Sequence, residues 1–372
     1  MAIPKPRDPS FTRARLAAWL PTKLPGTSDV TISDLEIPRS GFSNETFYFD
    51  ATWIEDGTPR RERLAVRARP QGDGLFLGAD VMLQWRMMKA LAEHTTVPVP
   101  PLFWEEPDLA ILGSPFFIMG HVDGRVATEV PSYHRKGWVA DLAPADRDRL
   151  WRNAIAELCK VARLDWREGF GFLADGGGTP GLDRYLAWVE EWYRWAAKGR
   201  DVGVVDAALE WLLAHRPRDP SLAVVWGDSR IGNMIIRDDL SVGAVIDWEM
   251  ATLGPAEVDL GWWLFFERFL TEGSRTASLE GIPGRDETIA HWESLAGRPA
   301  RDVHYYEVLG ALRMAIIVMR STAKHIEVGM LPATTKMASH NPMTQILARA
   351  LDLPVPDLAP EYVALLARIE AG

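Results

Sequence analysis

Apolar and polar positions alternate at Phe47, Phe49, Ala51 and Trp53, the period of a strand with one face buried. A turn signal, Glu55-Asp56-Gly57-Thr58, follows, and residues 63–69 resume an extended pattern. Between positions 78 and 92 the period becomes helical, with Val81, Trp85, Met88 and Leu91 on one stripe. Residues 108–111 and 115–119 read as a further short hairpin, after which Gly120 and Gly124 let the chain bend. Beyond about position 130 the pattern is mostly helical, with long amphipathic segments at 145–163, 182–195 and 305–320. One island of strand character, 222–246, interrupts them. The pattern predicts an α+β chain whose strand-rich N-terminal part, 1–124, precedes a mostly helical part, 125–372.

The island also gathers polar residues at its strand ends. Leu222-Ala223-Val224-Val225-Trp226 ends abruptly in Gly227-Asp228. Asn233 stands five positions later, directly before the apolar run 234–236. A polar turn, 237–241, leads into a third run, 242–246, which ends in Asp247, fourteen positions past Asn233. Side chains at the edges of short neighbouring strands can meet on one rim. Two carboxylates and an amide oxygen there suit a hard divalent cation that shares its shell with phosphate oxygens. Phosphoryl transfer needs those parts, with one carboxylate to orient the attacking hydroxyl. Taken singly, Asp and Asn also end strands and open turns for conformational reasons. The ordered set carries the reading.

Composition narrows the classes. The chain has 372 residues, 47% hydrophobic and 25% charged, as in soluble globular proteins. Its net charge of −10 argues against nucleic acid or an anionic membrane as partner. The single cysteine, Cys159, excludes an internal disulfide and reads as a core residue. Residues 1–10 have no apolar signal-peptide core, and the apolar runs 261–266 and 314–319 are too short to span a bilayer, so a cytoplasmic protein is expected. Gly176-Gly177-Gly178 lacks the Lys-Ser/Thr of a phosphate-binding loop. Tyr185, Trp188, Trp192 and Trp195 share one helical face and read as core, not as a ligand box. His121 and His134 have no partner at zinc-ligand spacing.

The segment Trp226-Gly227-Asp228-Ser229-Arg230-Ile231-Gly232-Asn233, with Ile246-Asp247-Trp248-Glu249, resembles the catalytic and metal loops of the aminoglycoside phosphotransferase family of kinase-like enzymes. Met250-Ala251-Thr252-Leu253-Gly254-Pro255 and Asp259-Leu260 continue the likeness. Upstream, Ser40-Gly41-Phe42-Ser43-Asn44-Glu45-Thr46 resembles the nucleotide loop, and Leu64-Ala65-Val66-Arg67 the strand with the phosphate-contacting cation. Ser114-Pro115-Phe116-Phe117-Ile118-Met119-Gly120-His121-Val122-Asp123-Gly124 resembles the hinge. Gly281-Ile282-Pro283-Gly284-Arg285 and Tyr305-Tyr306-Glu307 resemble the subgroup whose kinase domain is fused to some acyl-CoA dehydrogenases. The likeness runs from about residue 32 to 320.

The resemblance implies a two-lobed protein-kinase-like fold and an ATP- and Mg2+-dependent kinase acting on a small-molecule hydroxyl. Asp228 would orient the acceptor hydroxyl, while Asn233 and Asp247 would hold magnesium. Arg67 would contact the α- and β-phosphates, with Ser43 and Asn44 in the loop covering them. Main-chain groups near Met119 and Val122 would meet the adenine. Asp259 would brace the loop holding Asp247; Glu249, two positions after the metal Asp, reads equally as facing substrate, bracing a loop or solvated. Trp226 stands where the family has His, and Arg67 where many relatives have Lys. Gln84 replaces a Glu that pairs with that cation, so its amide oxygen is expected to accept from Arg67.

Two other functions stay open. Gln84 and Trp226 fit a catalytically silent nucleotide-binding module, and the acids alone fit a metal-dependent phosphohydrolase with no use for the hinge. For the acceptor, an aminoglycoside-like cation suits the acidic stretch 183–191, and the fused subgroup suggests a hydroxylated acyl metabolite.

Overall fold

The computed structural model describes residues 7–37, 45–70, 72, 74–200, 202–218 and 220–371. Ser43 and Asn44 lie outside the described residues.

Helix α1 (Pro9–Lys23) is capped by Asp8, whose carboxylate accepts from Ser10 N at 2.8 Å. Five strands follow, β1 (Ser28–Ile32), β2 (Glu45–Glu55), β3 (Thr58–Ala68), β4 (Leu102–Glu106) and β5 (Phe116–Gly120). They form one antiparallel sheet in the order β1-β2-β3-β5-β4. Asp56 and Gly57, both at positive φ, close the β2–β3 hairpin, whose register runs unbroken from Glu55↔Thr58 to Glu45↔Ala68. Phe47, Phe49, Ala51 and Trp53 all point inward, where they pack with Leu16, Trp19 and Leu20 of α1. Leu64, Val66 and Ala68 of β3 share that core. By the two-residue period, Arg67 takes the opposite face.

Between β3 and β4 lies α2 (Val81–His94), capped by Asp80, with Val81, Trp85, Met88 and Leu91 buried as a stripe. The hairpin expected at 108–119 is drawn differently. Residues 109–112 form a helical turn, α3 (Leu109–Leu112), because Asp108 caps Ala110 N at 2.9 Å and Gly113 at φ 76° ends it. Beside β3, the second partner of β5 is β4, a strand without a clear alternation.

Helices α4 (Pro144–Ala162), α5 (Leu182–Ala197) and α6 (Val204–Ala214) lead into two small antiparallel ladders. In these, β6 (Ala223–Val225) pairs with β9 (Thr252–Gly254), and β7 (Met234–Ile236) with β8 (Val242–Val245). Helices α7 (Glu257–Arg268), α8 (Arg285–Ala296), α9 (Val303–Glu327), α10 (Pro342–Ala350) and α11 (Pro360–Ala371) complete the chain. The N-terminal sheet and the largely helical remainder make the two-part arrangement that the pattern predicts, in the kinase-like form that the resemblance implies. They are tied where Arg125 bonds Ile236 of β7 in both directions at 2.8 Å. Gly124, at φ 152°, permits that contact: a Cβ there would sit 2.7 Å from the Ile236 oxygen.

Tyr185, Trp188 and Trp192 stack along α5, and Arg320 of α9 covers Trp195 at 3.6 Å, so the stripe is core packing. Cys159 is buried, and burial pushes its thiol up to about 12, in keeping with an inert core residue. No helix among the described residues is long and apolar enough to cross a membrane.

Candidate active site

Strand β6 delivers the chain to Trp226 and Gly227. Gly227 adopts φ +91°, and a Cβ there would lie 2.3 Å from the Met250 oxygen, so the turn needs glycine twice over. Past Asp228, a short 3₁₀ turn (Ile231–Asn233) returns the chain into β7. The β7–β8 register, Met234↔Val245, sets Asn233 opposite Ile246, and Ile246 N donates to Asn233 O at 3.0 Å. Asp247 is therefore the next residue along this rim, at φ +64°, a left-handed conformation that Asp tolerates better than most residues.

Asn233 is tied to the first of the two acids. Its Nδ2 donates to Asp228 Oδ2 at 2.7 Å and to the Asp228 main-chain oxygen at 2.9 Å. Asp228 Oδ1 accepts from Trp262 Nε1 of α7 and from Arg230 Nε, each at 2.9 Å. Both Asp228 and Asn233 are buried at the base of the loop.

Trp226 ties its own turn to the one that carries Asp247. It is fully buried against Trp248, and its indole N–H donates to the oxygens of Ile246 at 3.0 Å and Asp247 at 3.2 Å. Asp259, in the first turn of α7, corrects the sequence expectation: it braces the Asp228 loop, not that of Asp247. Its carboxylate accepts from Trp226 N at 2.7 Å and Gly227 N at 2.8 Å, while Ser229 Oγ donates to its carbonyl at 2.8 Å. Burial pushes the Asp259 carboxyl up to about 6, against the pull of those two amides and of Arg313. Arg313 of α9 is itself buried, stacks on Trp262 at 4.2 Å, and donates to Gly227 O.

Arg67, on the face of β3 turned away from α1, is buried, and its guanidinium donates to Asp247 Oδ1 and to Thr46 Oγ1, the latter at 3.1 Å. Gln84 does not accept from it. Gln84 is buried in α2, and its Nε2 has no partner. The charged oxygen of Asp247 outcompetes a neutral amide for the guanidinium. Met119 lies in β5, paired with Ala65 and Leu102, and Val122 follows just beyond the sheet. Two of the three acids of α5 are paired: Asp183 with Arg216, and Glu190 with Arg194.

Sequence reasoning missed the other wall. Arg230 spans Asp228 and Glu129 and lies 5.1 Å from the Phe266 ring. Burial works against its charge, but the carboxylates of Asp228 and Glu129 outweigh it and raise its proton affinity. Beside it, Glu267 of α7 accepts from Tyr133 Oη and from His134 Nε2, at 3.2 Å in the second case. His134 Nδ1 accepts from Leu279 N, which leaves Nε2 as the protonated nitrogen. The only advance signal was a cation two places after Asp228; the rest comes from distant parts of the chain, Glu129 lying 101 positions before Arg230.

Among the described residues, no group of three or more His, Cys, Asp or Glu side chains could hold a metal alone. Two hard oxygens are available for one on this rim, a carboxylate oxygen of Asp247 and the amide oxygen of Asn233, the Asn233 Nδ2 being spent on Asp228. That donor chemistry fits magnesium completed by phosphate oxygens and water.

A kinase-like sheet beside a helical part, with this Asp-Asn-Asp rim, is the frame of a small-molecule phosphotransferase. Residues 34–298 match the phosphotransferase enzyme family APH, and the chain belongs to that family. Its curated relatives include acyl-CoA dehydrogenase family member 11 of Gallus gallus, 30% identical over 69% of this chain and 31% of that protein. Acyl-CoA dehydrogenase family member 10 of Mus musculus is 30% identical over 60% of this chain and 19% of that protein. The chain thus spans about a third or less of the length of these relatives. Among solved structures, a protein assigned to the aminoglycoside phosphotransferases from Ralstonia eutropha superposes with a TM-score of 0.67, at 23% identity, covering 91% of this chain and 98% of that one. Aminoglycoside phosphotransferase APH(4)-Ia, in complex with ADP and hygromycin B, superposes with a TM-score of 0.55 at 16% identity, covering 90% and 98%.

Proposed function

We propose that the protein transfers the γ-phosphoryl group of ATP, with Mg2+, to a hydroxyl of a small molecule. Residues 1–124 form the nucleotide lobe and 125–372 the catalytic and acceptor lobe. The observation that carries this reading is the Asn233 side chain, which bonds Asp228 while its own strand abuts Asp247. One residue thereby spaces a base from a metal site. Asp228 orients the acceptor hydroxyl and takes its proton as the oxygen bonds to the γ-phosphorus and the bond to the β,γ-bridging oxygen breaks. Asp247 and Asn233 would hold the metal, which when bound would supply positive charge to the phosphate oxygens. Arg67 would contact the α- and β-phosphates beside Asp247, Ser43 and Asn44 would belong to the segment that covers them, and the main chain near Met119 and Val122 would receive the adenine.

The acyl-CoA dehydrogenases named among the relatives favour a hydroxylated acyl metabolite as acceptor over an aminoglycoside, and two of the three acids of α5 are already paired with arginines. The test is a screen of hydroxylated metabolites for ATP-dependent phosphorylation, followed by Asp228→Asn on any hit. Turnover should fall about 10²–10⁴-fold with ATP affinity little changed; an Asn variant of full activity would remove Asp228 as base. A second reading, a binding module without turnover, is favoured by Gln84 standing apart from Arg67. Tight ATP binding with no acceptor ever phosphorylated would select it.

A further inference from the structure

An ionised carboxylate has about four acceptor positions, two on each oxygen. In Asp228 three are filled: Arg230 Nε and Trp262 Nε1 occupy Oδ1, and Asn233 Nδ2 occupies one position on Oδ2. One position on Oδ2 remains. Of the three donors, Asn233 and Trp262 are fixed by a strand end and a helix, whereas Arg230 is a long side chain that must be held by something else.

It is held on two sides. Glu129, in the segment before α4, accepts from its Nη1, and the Phe266 ring of α7 lies 5.1 Å from the guanidinium. The chain makes room for this bridge at Gly232. That residue has no need of glycine's conformational freedom, yet a Cβ on it would lie 2.1 Å from Glu129 Oε1 and 2.7 Å from Arg230 Nη1. The guanidinium fork, unlike an ammonium, can serve two carboxylates in one plane.

We propose that Arg230, anchored by Glu129, is a positioning residue that turns Asp228 so that Oδ2 receives the acceptor hydroxyl. This rests on the kinase reading for its catalytic consequence, and on geometry alone for the orientation of Asp228. In the transfer step the acceptor oxygen bonds to the γ-phosphorus, the bridging oxygen leaves with its electron pair on ADP, and the hydroxyl proton passes to Oδ2. Arg230 donates to Oδ1 throughout and exchanges no proton.

The experiment uses the full chain with Arg230→Met and Arg230→Lys. Mg·ATP turnover is measured with water and with hydroxylated compounds as acceptors, and crystal structures of both variants are determined. For Arg230→Met, kcat should fall about 100-fold, the scale of a misplacement of about 1 Å, while the KM for ATP stays within about twofold. Methylguanidine should restore part of the lost kcat in Arg230→Met and leave the wild type unchanged, which a loss of folding would not allow. Arg230→Lys keeps the charge in the fold and should fall between. In the Arg230→Met structure, Asp228 should leave its contact with Asn233. A wild-type rate in Arg230→Met, or an Asp228 carboxylate unmoved in its structure, overturns the proposal. If the wild type phosphorylates neither water nor any hydroxyl, the kinase reading fails, and the displacement of Asp228 still decides the positioning role.

Discussion

The indole N–H of Trp226 bonds the main-chain oxygens of both Ile246 and Asp247, at 3.0 and 3.2 Å. The loop that presents Asp228 is thus fastened to the turn that presents Asp247, and one buried side chain sets the spacing of the two acids. Trp226→Phe keeps most of the apolar volume and removes the donor. Stability should drop by about 1–3 kcal/mol, the usual cost of stranding buried acceptors. The thermal shift produced by Mg·AMP-PNP should also shrink. An unchanged shift would mean that the bond does not set the metal turn.

Asp247→Ala is expected to abolish the magnesium-dependent part of nucleotide stabilisation while the fold survives, because Asp247 lies on the rim with its carboxylate on Arg67 rather than in the core. Titrating Mg2+ against AMP-PNP in thermal unfolding reads this directly. A variant that responds to magnesium as the wild type does would take Asp247 out of the metal site.

Gly227→Ala should cost at least ~2 kcal/mol. It combines the penalty of a left-handed φ, about 1–2 kcal/mol, with a methyl driven onto the Met250 oxygen at 2.3 Å. Urea unfolding of the variant, and a solvent-exposed glycine control such as Gly26→Ala, separates packing from conformation: Gly26 has φ +82° but open space around it. Equal costs at the two sites would show that Met250 yields.

Asp259 makes a pH prediction. Its folded-state pKa of about 6 lies above the ordinary 3.8 of an unfolded aspartate, so the folded state binds the extra proton between those values. Stability from this group is therefore full below about pH 4 and is lost as pH rises through 6, by up to ~3 kcal/mol. Comparing wild type with Asp259→Asn in urea at pH 4 to 7, the wild type's relative stability should decline with rising pH. A difference independent of pH, or one growing with it, would show that the two amides from Trp226 and Gly227 outweigh burial.

Much of this protein was legible in one dimension. The strand and helix periods placed β2, β3, α2 and the ladders β6, β7 and β8, since alternation and helical stripes follow from which faces must leave water. The polar ends of those ladders, Asp228, Asn233 and Asp247, could be read because each depends on its own short strand. Helix α3 was misread as a strand because Asp108 and Gly113, its cap and its stop, outweigh a four-residue apolar pattern.

What tertiary structure alone decided was partnership. Arg67 chose Asp247 over Gln84 at a separation of 180 positions, and Arg230 chose Glu129 at 101. Asp259 settled on the amides of Trp226 and Gly227 rather than the loop of Asp247. A charged or polar group must find a partner when buried, but local sequence names only the need. Which partner answers depends on chain-distant elements that the shared core brings together, and that choice belongs to the packed molecule.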